Sequence, residues 1–360
     1  MAKIFLAMPC AKHGGTALGG QVTAARGLLD FLESKRFEYE LVDTAIPGVG
    51  RTMFSRNLLR LQCWCSLMLH GLFSDCCCAL FFKSTNAGLL GRYLPALLFH
   101  LRGKKVGLFF RNSSIFSVRP GSLLCRWVSL LLKPYSVFFV QGEAWREHLL
   151  RMGFSSSQVA VIPNWLPPEF SIALNKRPVP TGRLRFVFTG RVVKEKGVFE
   201  ILQALNTKEL DNDCECVFAG TGPDLETCQA IVRERGIKHV TFAGGLPPGD
   251  VSALLKSSDV LVLPTFHPEG FPNSILEAMA SGLPVVSTNV GAITESVKHG
   301  ENGLIVESGS ASDVWSAMRF YVDSPGYVSL HSAAAIEIVS RRHGRDPNCS
   351  LVLSRLLCLT

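Results

Sequence analysis

Short apolar runs alternate along the chain with longer segments whose apolar residues recur at helical spacing. This alternation predicts strands and amphipathic helices taking turns, the pattern of parallel sheets in an α/β protein. In the first half it places strands at residues 3–9, Cys78–Lys83, Lys105–Phe110, 136–140 and 159–163, with a helix over 20–33. A proline-rich stretch follows, Pro163-Asn164-Trp165-Leu166-Pro167-Pro168 and then 176–182, and it reads as a linker. Beyond it a strong strand at Leu184–Thr189 restarts the alternation. A helix over 197–205, a strand at Cys214–Ala219, a helix to Arg235, and strands at 240–243, Val260–Leu263 and 284–288 continue it. Neither an internal repeat nor a low-complexity tract interrupts the pattern.

Length and composition turn this pattern into two domains. A chain of 360 residues, 47% hydrophobic and 18% charged, exceeds one ordinary domain and supplies apolar material for two cores. Residues 1–165 are expected to form the first domain, 166–182 the linker, 183–325 the second domain, and 326–360 a helical segment packing back on the first. No uncharged apolar run reaches the 18 residues a spanning helix needs. The short apolar start reads as a buried strand rather than a signal peptide, so a cytoplasmic location is expected. Twelve scattered cysteines without a pair of CxxC elements read as reduced, mostly buried thiols, and no metal site is expected. The net charge of +8 is uneven: residues 1–170 hold 19 basic and 9 acidic side chains, the remainder 18 and 20. An excess of ten cations in one half calls for an anionic partner.

Two clusters hold the densest chemistry. The first runs from Pro264 to Gly282: an apolar strand feeds a loop with Glu269, Gly270, Phe271 and Pro272, and a helix then starts near Asn273. With Asn273 as N-cap, the loop and first helical turn would present free N–H groups, a setting for a diphosphate. Glu277 lies one turn inside, where a lone acid most often serves only the helix dipole. The second cluster is Gly190-Arg191-Val192-Val193-Lys194-Glu195-Lys196-Gly197, again between a strand end and a helix start. Arg191 as a bidentate fork and Lys196 as a mobile point charge could converge on phosphate oxygens. The P-loop order is absent, and a basic solvated turn is the plainer reading of either residue alone.

Together these clusters resemble glycosyltransferase family 4, retaining enzymes of the GT-B fold. The resemblance spans about Phe186 to Glu307: the Gly-Arg-x4-Lys-Gly block, Phe218-Ala219-Gly220-Thr221-Gly222-Pro223, the Glu-x7-Glu pair Glu269 and Glu277, Gly282-Leu283-Pro284-Val285-Val286, Gly291, Glu295 and Gly300-Glu301-Asn302-Gly303. It implies an α/β chain of two Rossmann-like domains with parallel sheets facing a central cleft, and a nucleotide-sugar donor used without cofactor or metal. By resemblance, Arg191 and Lys196 would hold the donor diphosphate beside Gly190, and Glu269 would contact the transferred sugar. Amides near Gly270 and Phe271 would meet sugar or phosphate oxygens, with Pro272 shaping the turn. Glu277 would accept from the ribose hydroxyls, and Gly15 would let the first-domain loop approach the phosphates. The chemistry would be electrostatic support of an oxocarbenium-like, phosphate-leaving transition state. One departure stands out: where many members have a histidine after a first-domain strand, this chain has Arg111-Asn112. His343-Gly344 likewise interrupts the expected closing helix.

The expected activity is sugar transfer to a glycan or lipid-linked acceptor, with a nucleotide-sugar isomerase or a phosphorylase-like enzyme as the alternative use of the fold. An NAD-binding reading of Gly220-x-Gly222 lacks the third glycine, and a hydrolase built on two glutamates would leave the Arg/Lys block idle. No nucleic-acid module accounts for the charge. Basic-apolar stretches around Arg56–Trp64, 93–105 and 123–133 instead predict peripheral association with an anionic membrane surface, the cytosolic face, and no nucleic-acid partner.

Overall fold

The computed structural model describes residues 2–10, 20–45, 53–83, 87–111, 113–207, 213–267 and 270–357. They form two compact units, Met1–Trp165 with Arg345–Thr360, and Leu166–Gly344. The first unit holds β1 (Ile4–Met8), β2 (Tyr39–Asp43), β3 (Cys78–Lys83), β4 (Lys105–Phe110), β5 (Val137–Val140) and β6 (Val159–Val161). They pair in the order β2-β1-β3-β4-β5-β6, every pair parallel. Every residue of β1, β3 and β5 is buried, as a sheet covered on both faces requires.

One face of this sheet packs Phe5 and Phe81 against Phe99 of the helix Ala87–Leu101, with the rings of Phe5 and Phe99 4.9 Å apart. The other packs Leu28, Phe31 and Leu32 of the helix Gly20–Ser34 against Phe109, Phe139 and Trp165. The final helix, Arg345–Leu357, closes the same face through Val352, Leu353 and Leu356. Burying those three side chains contributes about 1.5–3 kcal/mol each, enough to hold the helix on the sheet. Gly107 makes room for it, since a Cβ there would stand 2.7 Å from Leu356 Cδ2.

The second unit repeats the design with β7 (Leu184–Thr189), β8 (Cys214–Ala219), β9 (Val240–Gly244), β10 (Val260–Leu263), β11 (Val285–Thr288) and β12 (Gly303–Val306). Their order is β12-β11-β10-β7-β8-β9, all parallel. The chain steps outward from β7 to β9 and returns to β7's other side with β10, so the sheet reverses direction between β7 and β10. Ligands of open α/β sheets bind at the carboxyl ends of the strands flanking such a reversal.

The stretch expected as a linker is pinned to the second unit. The Ala173 amide donates to the Ala280 carbonyl at 2.7 Å, and the Arg177 guanidinium donates to the carbonyls of Leu255 and Lys256 at 2.5 Å each. The C-terminal segment is also divided. The helix Gly326–Arg342 stays with the second unit, burying Val328, Ala335 and Val339, and the break at His343-Gly344 hands Arg345–Leu357 to the first. Two strands escape the sequence reading, β2 and β12. Both are sheet edges; β2 carries Glu40 and Asp43 among half-buried neighbours, and β12 has only four residues.

Candidate functional site

Three loops meet at the carboxyl ends of β7, β8 and β10, and glycines set how closely. Gly197 has φ +76°, and a Cβ on it would stand 2.4 Å from the Pro264 carbonyl oxygen. The end of the Arg191–Lys196 loop therefore lies directly on the start of the loop after β10. The Glu195 carbonyl fastens the two together, accepting from the Phe266 amide at 2.9 Å, the His267 amide at 3.1 Å and the Thr265 hydroxyl at 3.0 Å. On the other side, a Cβ on Gly220 would come within 1.7 Å of the Gly190 oxygen, at a φ of +156°. The Val192 amide donates to the Thr221 carbonyl at 2.9 Å, and the Asp224 carboxylate accepts from the Lys194 amide at 2.7 Å. Arg191 and Lys196 thus stand on a backbone held from both flanks.

The helix Asn273–Ala280 begins beside this loop: a Cβ on Gly190 would lie 3.6 Å from Ser274 Oγ. Asn273 is its first residue and not its N-cap, correcting the sequence expectation. Pro272 takes the N-cap position in extended conformation, with no side-chain cap bond. The reason is local: proline offers no N–H, so it costs nothing at a helix start. The ring of Phe271, 4% exposed, stacks on His343 at 5.0 Å. The Gly270 carbonyl accepts from the Ala292 amide at 3.0 Å, tying this loop to the turn after β11. The Arg191 side chain is exposed and Lys196 half-buried, the placement of cations that can meet a ligand.

Glu277 is only partly exposed, and desolvation, then the nearby charge of Glu169, push its carboxyl up to about 7. A carboxyl poised there can accept hydrogen bonds as an anion once ligand hydroxyls replace the missing water. Gly190, Arg191, Lys196, Gly270, Phe271, Pro272, Asn273 and Glu277 therefore gather on one unit. Glu269 and Gly15 lie outside the described residues. Glu295 forms an ion pair with Arg342 inside the same unit.

The first unit shows features that sequence reading did not find. Lys83, the last residue of β3, is fully buried, as is most of Arg111 just past β4. Arg111 lies over the rings of Phe109 and Trp165 at 5.0 and 5.7 Å, and burial brings its pKa down to about 9. The signal available was a cation ending each of two apolar strands, which by itself also fits a solvated strand end. One group among the described residues could gather metal ligands, Glu40, Asp75 and Cys76. Lys3 already sits there, its Nζ 2.8 Å from Glu40 and 3.0 Å from Asp75. Of the described cysteines, eight are buried, and Cys65 and Cys77 are exposed; all are free thiols.

A parallel sheet with a basic loop and a helix start at its reversal defines the second unit as a Rossmann-like domain. Residues 171–335, all within the second unit, match the family described as glycosyl transferases group 1. An uncharacterised glycosyltransferase of Methanocaldococcus jannaschii is 32% identical over 178 residues, 46% of this chain and 45% of that protein. A GDP-mannose-dependent α-(1-6)-phosphatidylinositol monomannoside mannosyltransferase of Mycobacterium tuberculosis is 31% identical over 175 residues, 46% of each. The chain thus covers just under half the length of these relatives. Among solved structures, the Anabaena HepE protein in complex with UDP superposes with a TM-score of 0.72 over 100% of both chains at 16% identity. Sucrose-phosphate synthase of Thermosynechococcus elongatus gives 0.75 over 99% of both at 17% identity. The fold is that of the GT-B type, two Rossmann-like α/β units of parallel strands.

Proposed function

We propose that the protein transfers a sugar, with retention of anomeric configuration, from a nucleotide-sugar donor to a glycan or lipid-linked acceptor. The donor sits at the reversal between β7 and β10. Arg191 and Lys196 neutralise the diphosphate as it departs, Glu269 contacts the sugar, and Glu277 accepts from the ribose hydroxyls. The observation that supports this most is the Glu195 carbonyl, which fixes the cationic loop against the loop leading to the helix Asn273–Ala280. Phosphate-binding cations and a helix start then face the same space, and each charge-assisted contact is worth about 1.5–3 kcal/mol. Since the bond broken is the one between the anomeric carbon and a phosphate oxygen, stabilising that oxygen lowers the barrier directly. No metal or cofactor enters this reading, because the two side chains supply the positive charge.

The acceptor in this proposal is held at an anionic membrane surface. What supports it is the helix Met53–Phe73, of which only Leu67 and Gly71 are buried. On the helix Leu123–Leu132, Leu123, Trp127 and Leu130 form an exposed stripe at spacings of four and three residues, beside Arg126. No helix of the described residues is long and apolar enough to cross a membrane. The test is incubation with UDP-, GDP- and ADP-sugars, with and without lipid acceptors, following nucleotide release and glycoside formation. Nucleotide release that requires an acceptor is the expected result. An isomerised sugar nucleotide, or no turnover of any donor, refutes the transfer reading.

A further inference from the structure

His343, at the break that ends the helix Gly326–Arg342, is 1% exposed and engaged through ring, edge and backbone. Its ring stacks on Phe271, with centroids 5.0 Å apart and planes 20° from parallel. Its Nε2 is hydrogen-bonded to the buried Ser296 Oγ at 2.8 Å. Its carbonyl accepts from the Leu166 amide at 3.1 Å, and its own amide donates to the Val339 carbonyl at 2.9 Å. Next to it Arg342 pairs with Glu295. Two consecutive residues at the end of one helix thus hold two consecutive residues, Glu295 and Ser296, of the short helix Ile293–Ser296.

These contacts join three places in the second unit. Phe271 lies in the loop between β10 and the helix Asn273–Ala280, and its neighbour Gly270 is tied to Ala292 after β11. The Ser296 carbonyl accepts from Asn302 Nδ2 at 2.8 Å, which fixes Ser296 to the residue before β12. Leu166 is the first residue of the second unit after the chain leaves the first, and Gly344 is the last before it returns. Both passages of the chain therefore start from contacts with a single residue, and that residue also touches the loop of the candidate site. Imidazole suits the position because it combines an aromatic face with a hydrogen-bonding nitrogen at its edge. A phenyl group would keep only the stack, and would leave the buried Ser296 hydroxyl short of a partner.

We infer that His343 is a positioning residue, which sets the Phe271 loop and links its state to the chain passages at Leu166 and Gly344. That the loop receives a nucleotide sugar rests on the proposed transfer activity; the link itself does not. Amide hydrogen exchange on the full chain, with and without UDP or GDP, reads both ends of the link. Without nucleotide, His343→Ala should speed exchange at the Phe271 and Leu166 amides about tenfold, leaving β7 and β10 unchanged. Ser296→Ala and His343→Phe each remove the same hydrogen bond, so each should speed exchange about threefold and the pair together little more. In the unaltered chain the nucleotide that binds should slow exchange at both Phe271 and Leu166, and in His343→Ala at Phe271 alone. In turnover, His343→Phe should raise the donor KM about fivefold with kcat within about twofold, a split that mere loss of folded protein does not produce. Unchanged exchange at both amides in His343→Ala, or nucleotide protection of Leu166 that persists in that variant, overturns the inference. Should His343→Ala fail to fold, Ser296→Ala removes a single oxygen and decides by the same measurements. If neither UDP nor GDP binds, the donor reading fails, while the nucleotide-free comparison still decides the link.

Discussion

The two sheets share one design, six parallel strands with a single reversal, yet their reversals are furnished differently. In the second unit the strand ends meet through backbone: Gly197 lies on Pro264, Gly220 on Gly190, Gly222 on Val192. Each contact is too close for a Cβ, so the loops are held rigidly and the cations ride on them. In the first unit two strand ends carry buried cations instead, Lys83 with no exposed surface at the end of β3 and Arg111, 7% exposed, just past β4. A site shaped by backbone contact leaves ordered glycines in the sequence. A single buried cation at a strand end leaves no local pattern, since it reads equally as a solvated strand end. The two units also differ outwardly, because the first exposes Phe54, Phe73, Leu123 and Trp127, each more than two-thirds accessible.

The largest effect should come from breaking the backbone contacts. Gly220→Ala would force a Cβ into the Gly190 carbonyl at a φ of +156°, and should destabilise the second unit by at least about 3 kcal/mol. Gly121→Ala, in the first unit, also has positive φ but open space around it, and should cost only about 1 kcal/mol. Urea unfolding of the two variants measures the contrast, and equal losses would show that backbone strain, not close approach, dominates.

Next in size is turnover. On the proposed assignment, Arg191→Ala or Lys196→Ala should each slow sugar transfer roughly ten- to a hundredfold in a folded protein. Arg191→Lys should recover only part of the loss, since the planar fork is gone. Near-normal rates in both alanine variants would remove the diphosphate from this loop.

A smaller effect separates the outer surfaces. Trp127→Ser should weaken sedimentation with anionic vesicles about three- to tenfold, and salt should weaken binding of the unaltered chain further. Equal recovery with neutral and anionic vesicles would set aside the membrane reading.

The smallest effect expected is a pH dependence. Glu277 has its carboxyl raised to about 7 from an ordinary 4.5, so the folded free protein holds a proton there that the unfolded chain has lost above about 4.5. The stability tied to that neutral form is present at low pH and is lost as pH rises to about 7, beyond which it changes no more. On the proposed assignment, ribose hydroxyls donate to the ionised form, so a bound nucleotide sugar should lower this pKa. Affinity should accordingly fall as pH drops below about 7, with proton release on binding, visible as buffer-dependent enthalpy. Glu277→Gln should flatten the profile, and an unchanged profile would separate Glu277 from the ribose.

Much of this protein was legible in its residues. The apolar runs at Cys78–Lys83, Lys105–Phe110, Leu184–Thr189 and Cys214–Ala219 coincide with strands, because a sheet buried on both faces admits little else. The blocks around Arg191 and Glu277 marked a candidate site because glycines and a helix start recur at short range. Edge strands β2 and β12 gave no such signal, since an edge tolerates charges and short length. The pinning of Arg177 and the division of the C-terminal segment at His343-Gly344 were settled by tertiary packing. The same holds for the burial of Lys83 and Arg111, which lie 28 residues apart along the chain and stand at the ends of the neighbouring strands β3 and β4. Local sequence fixes what needs only neighbours: strand burial, glycine turns, helix starts. Partnership between distant side chains depends on which elements the fold sets side by side, and the long-range packing decides that.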